Sequence, residues 1–149
     1  VTGDPERTEP FVELSEVQES LARCTVRGGF AARFLALLGE GQATLARALA
    51  AGDPADQRRV VRRGLQLMLL YAQGAPMAAT LLDRIVDGGG ATALAVRPDL
   101  HPYLVDTLMR VVREFDPAFS PALEKRWREA LGAALAYLAT RPAARRSIG

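Results

Sequence analysis

The sequence contains one histidine, one cysteine, one tryptophan and one lysine. A lone cysteine, Cys24, excludes an internal disulfide. One Cys and one His together exclude a zinc cluster for want of ligands. A reducing, cytoplasmic setting is therefore expected. Long apolar runs are also missing. The longest, from Leu65 to Ala72, is broken by Gln66, so no membrane span is expected. The N-terminus is acidic and Pro-rich, which is not the basic-then-apolar order of a signal peptide. Charge of one sign is absent as well. The 17 acids nearly balance 19 bases, for a net charge of +2, and this gives no ground for a nucleic-acid partner. There is no nucleophile elbow, phosphate loop or paired catalytic carboxylate in a pocket-forming pattern, so the chain is read as a non-enzyme.

What is present is enough apolar material for one core: 49% of 149 residues are hydrophobic. No stretch alternates with period two for long enough to make a strand, and no internal repeat is visible. The pattern is helical throughout, so the expected class is all-α with six to seven helices. Residues 1–14 read as a loose lead-in, with Ser15 as the N-cap of a first helix carrying Val17, Leu21 and Cys24. Gly28-Gly29 ends it. Phe30, Phe34, Leu37 and Leu38 mark a second helix, which Gly39 and Gly41 should stop, and a short third covers about 42–50. Asp53-Pro54 starts a long helix to about residue 73. Gly64 inside that helix costs roughly 1 kcal/mol against Ala, and suits close approach by another helix. A further helix runs from about Met77 to Val86, and the run Gly88-Gly89-Gly90 then breaks the chain. Two long helices follow, one ending at Asp116-Pro117 and one starting at Ser120-Pro121. The basic tail 141–149, with Arg141, Arg145 and Arg146, is expected to fray.

Several segments carry a resemblance. "SLARC" (20–24), "GGFAARFLALL" (28–38), "GDPADQRRVVRRGLQLMLLYAQG" (52–74) and "VRPDLHPYLVDTLMRVVREFDPAFSPALEKRWREAL" (96–131) occur in this order. Together they resemble the bacterial globins of single-domain and sensor type, over residues 15–140. The resemblance implies a globin-like fold and, in the usual member, heme (haem) held by a proximal His, a Phe packed on the porphyrin and a distal Tyr. Carried over by position, the Tyr falls on Leu35, the Phe on Leu49 and the His on the glycine run around Gly89. All three lack haem chemistry. The expected pocket lining is Phe34, Leu65, Met68, Leu104 and Leu108.

Two readings follow. The first is a haem-free globin-fold sensor or regulatory module with no cofactor. It would hold an apolar ligand in the former haem pocket and connect to a downstream signalling domain or protein. The resembling sensors dimerise through their last two helices, which implies a homodimer through Leu123, Trp127, Leu131 and Leu135. The second is a true haem protein sensing oxygen or another diatomic gas through a displaced ligand: His101, Met68, Met77 or, less readily, Met109 or Cys24. Against it, Met at helical spacing is ordinarily core, and His101 reads as a partly exposed helix-start residue. Arg58, Arg59, Arg62 and Arg63 read as a solvated face beside Asp53 and Asp56.

Overall fold

Local capping chemistry sets three of the helix starts. The Asp53 carboxylate accepts from Asp56 N at 2.9 Å, Ser120 Oγ from Leu123 N at 3.1 Å, and Gln42 Oε1 from Thr44 N at 3.3 Å. Each satisfies a backbone donor that the first turn leaves without a partner. Gly28 and Gly29 take φ of 77° and 84°, a left-handed turn that suits glycine and separates the first two helices. A computed structural model describes the backbone of residues 5–88 and 97–140, and the side chains of residues 15–88 and 97–140. Within these lie seven α-helices and no strand: α1 Pro5–Val26, α2 Phe30–Gly41, α3 Ala43–Ala50, α4 Pro54–Ala72, α5 Ala78–Asp87, α6 His101–Phe115 and α7 Pro121–Ala139. A single 3₁₀ turn, Pro98–Leu100, leads into α6.

Two local expectations fail. Helix α1 begins at Pro5, so Ser15 lies inside it and caps nothing, and the expected lead-in is helical from Pro5. Helix α2 runs on through Gly39 and ends at Gly41, so only the first of the two glycines fails as a stop; glycine weakens a helix without necessarily ending it when tertiary contacts supply the stability. The expectations for Gly89, Gly90 and the tail Arg141, Arg145 and Arg146 lie outside the described residues.

The packing is helix on helix. α4 lies against α5 and α7, α2 against α3 and α6, and α1 against α6 and α7. The main core joins Val17, Leu21 and Cys24 of α1 to Phe30 and Phe34 of α2, Met109, Val111 and Val112 of α6, and Trp127 of α7. A second core joins Leu67, Leu82, Val86, Ala134, Leu135 and Leu138. α4 contributes to both, with Leu65 and Leu69 in the main core and Leu67 in the second.

A buried polar cluster fastens the main core. Asp116, 1% exposed, ends α6. Its Oδ1 accepts from Arg23 Nε at 2.6 Å and Ala118 N at 2.9 Å; its Oδ2 accepts from Ser20 Oγ at 2.6 Å and Arg23 Nη2 at 3.0 Å. Ser20 Oγ in turn accepts from Trp127 Nε1 at 3.0 Å. One carboxylate thus ties α1, the α6–α7 corner and α7 together. Burial raises the Asp116 pKa, but the hydrogen bonds from Arg23, Ser20 and Ala118 outweigh it and hold the group below the ordinary carboxylate range.

Beside this cluster, burial and then the Asp116 charge push the Cys24 thiol up to about 12. Cys24 is 0% exposed. It is expected to be silent to a thiol reagent in native protein at neutral pH and to react fully in denaturant. Rapid labelling of the native state, followed by absorbance, would contradict this placement.

Trp127, Leu123, Leu131 and Leu135 correct a further expectation. All four are buried against their own chain. The apolar face of α7 is consumed inside the monomer, so these side chains are not available as a dimer interface. Outward, α6 and α7 present Asp106, Arg110, Arg113, Lys125, Arg128 and Glu129.

Candidate functional site

The helices line a cavity of about 550 Å³ that is partly open to the outside, within the range of small-molecule sites. Its wall is built from the apolar faces of six helices. α2 gives Phe34, Leu35 and Leu38, and α3 gives Leu45 and Leu49. α4 gives Val60, Val61, Gly64, Leu65 and Met68, and α5 gives Leu82, Ile85 and Val86. α6 gives Leu104, Val105 and Leu108, and α7 gives Leu131, Leu135 and Leu138.

The surrounding hydrogen bonds hold this wall in place. Tyr103 Oη, on α6, donates to the end of α2, with Leu38 O at 2.7 Å and Leu37 O at 3.0 Å, and accepts from Gly41 N at 3.2 Å. A Cβ at Gly41 would stand 2.7 Å from that hydroxyl, so the close approach requires glycine. On the other side, Tyr137 of α7 donates to the Asp83 carboxylate of α5 at 2.9 Å and stacks on Tyr71 of α4 with centroids 5.1 Å apart. Gln57 Nε2 donates to Leu49 O at 3.0 Å and closes the α3–α4 corner.

The residues expected to line a pocket stand here together: Phe34, Leu65, Met68, Leu104 and Leu108, with Leu35 and Leu49 at the positions matched to Tyr and Phe. Other expected roles do not converge. Met77 sits at the start of α5 with 59% exposure, away from the wall. His101 opens α6 and is not among the lining residues. Cys24 and Met109 are buried in the main core. Arg58, Arg59, Arg62 and Arg63 are also absent from the lining, and Arg59 pairs with Asp56. Gly64 differs from its expectation. Among the described residues a Cβ added there meets nothing within 4 Å, so no described helix packs closely against it, and it borders the cavity instead.

The wall's chemistry can be set against what haem needs. Among the described residues it presents no imidazole, thiolate or phenolate, and its single soft donor is the Met68 thioether. Residues 89–96, Gly-Gly-Ala-Thr-Ala-Leu-Ala-Val, carry no His, Met, Cys or Tyr either. The polar side chains in the lining are Asp53, Asp56 and Gln57, at the α3–α4 corner. These supply no cation for propionates. The donor set therefore does not fit haem held in the usual way. Among the described residues no group of three or more His, Cys, Asp or Glu side chains is placed to hold a metal ion. No described helix is long and apolar enough to cross a membrane.

No protein-family model matches the chain, and no curated protein matches it. Among solved structures it is similar to the protein PA3967 of Pseudomonas aeruginosa PAO1, whose crystal structure is described as structurally highly homologous to a human hemoglobin. The TM-score is 0.74 at 24% identity, covering 85% of this chain and 95% of that one. The fold is globin-like.

Proposed function

We propose that this chain is a divergent member of the bacterial globins that works without haem, as a sensor or regulatory module binding an apolar molecule in the cavity. The observation that carries this reading is a sizeable apolar cavity whose wall, among the described residues, lacks a ring nitrogen or thiolate donor. The module acts by binding, not catalysis. Its cavity reaches Leu131, Leu135 and Leu138, so a ligand touches the inner face of α7 directly. Differential affinity for two placements of α7 would pass the signal to a downstream domain or protein. A homodimer stays within this reading only through the exposed faces of α6 and α7, since Leu123, Trp127, Leu131 and Leu135 are used internally.

Titration with hemin, followed by absorbance, separates this from the gas-sensing alternative. We expect no stable one-to-one Soret band. A stoichiometric band that Met68→Ala abolishes would favour a haem protein ligated through the one thioether in the wall. In parallel, a saturating apolar ligand at a hundred times its Kd is expected to stabilise the fold by about 2.7 kcal/mol in thermal unfolding.

A further inference from the structure

Gly64 needs a reason. It lies in the interior of α4, where glycine weakens a helix. The two structural reasons for a helical glycine are both missing. Its φ is not positive, and among the described residues an added Cβ meets nothing within 4 Å. It borders the cavity, and its neighbours along the same helix face, Val60, Val61 and Met68, line the cavity too. The effect is a strip of bare backbone in an otherwise side-chain-covered wall.

The charged lining gives a second constraint. Among the described residues the lining's charges are Asp53 and Asp56, with no Lys, Arg or His beside them. Asp56 is paired with Arg59, so the negative charge at the corner rests mainly on Asp53. Asp53 also caps α4 through Asp56 N.

We propose that Gly64 is a ligand-contact position that determines what the cavity accepts. The ligand is a slender aliphatic molecule whose body lies on the exposed α4 backbone. Its polar end is uncharged or cationic, of the amine or alcohol class, and meets the α3–α4 corner. A fatty carboxylate of the same length is disfavoured because its charge would meet the like charge of the exposed Asp53 carboxylate. This inference rests on the proposal that the cavity binds an apolar ligand.

The test is calorimetric titration of the intact chain with dodecylamine, dodecanol and dodecanoate below their aggregation limits. Wild-type protein should bind the amine and the alcohol about tenfold more tightly than the carboxylate. Gly64→Ala should weaken the favoured ligands a few-fold while raising Tm, since Ala is the better helix former and its Cβ enters open space. Gly64→Leu should weaken them more than tenfold by filling the space. Asp53→Asn keeps a capping side chain and removes the charge, and should shrink the amine-to-carboxylate gap to a few-fold. Unchanged affinity in both Gly64 variants overturns the contact role. Tightest binding of dodecanoate to wild type overturns the head-group assignment. Failure of all three ligands to bind wild type overturns the ligand-cavity reading itself, and this inference with it.

Discussion

Trp127→Ala is expected to cost about 4 kcal/mol, in the range for truncating a fully buried aromatic. Trp127 is 0% exposed and joins α7 to α1 and α6 in the main core. Removing the indole opens a cavity that the surrounding helices close only in part, and it takes the Nε1 donor from Ser20 Oγ. In a domain of this length, that loss lowers Tm by about 12 °C. Urea unfolding followed by helical circular dichroism measures it. Trp127→Phe and Ser20→Ala then separate packing from hydrogen bonding. Ser20→Ala alone leaves a buried indole N–H without its partner, at about 1–3 kcal/mol. In the double variant neither group is left wanting, so the summed single effects should exceed the double effect by about 1 kcal/mol. Simple additivity would show that the bond contributes nothing, and a loss below 1 kcal/mol for Trp127→Ala would contradict its core position.

The second large effect belongs to Asp116. Asp116→Ala should cost about 3 kcal/mol, near the lower end for a broken buried ion pair. The reason for the lower end is Arg23, whose side chain is 36% exposed and can return to water when its partner is gone. Ser20 Oγ and Ala118 N cannot do so as readily. Asp116→Asn keeps the shape but loses the charge, and should fall between wild type and Ala.

The same carboxylate makes stability depend on pH. Its folded pKa lies below the unfolded value of about 3.9. The folded state therefore holds fewer protons between those two values, and the contribution is fully present above the unfolded pKa. It is lost as pH falls through the folded one. Chemical denaturation between pH 7 and pH 2 should show a fall in stability below about pH 4 that is shallower in Asp116→Asn. Equal acid slopes in the two proteins would show that the pair is not linked to folding.

Much of the helical layout was legible because its signals are local. Asp53 before Pro54, Ser120 before Pro121 and the pair Gly28-Gly29 act within one turn of backbone, and each boundary falls where that chemistry puts it. The pocket-lining side chains were likewise traceable, since apolar spacing on α4 and α6 selects a face and the globin resemblance says which face meets the cavity. Ser20 was the overlooked clue. It lies on the same face of α1 as Val17, Leu21 and Cys24, and a polar residue in an apolar stripe asks for a buried partner.

The sequence by itself determined an all-α chain, its main helix boundaries, and the absence of any histidine from the positions a globin would use. Tertiary structure decided the rest. It spent the apolar face of α7 on the chain's own core, because periodicity marks a buried face without saying whether the same chain or a second one buries it. It placed Ser20 and Arg23 against Asp116, more than ninety residues away in sequence, a pairing no local rule contains. It also turned Gly64 from a helix-crossing residue into a bare strip of cavity wall. A glycine reports only that a side chain is missing, and what occupies the vacated space depends on where every other helix lies.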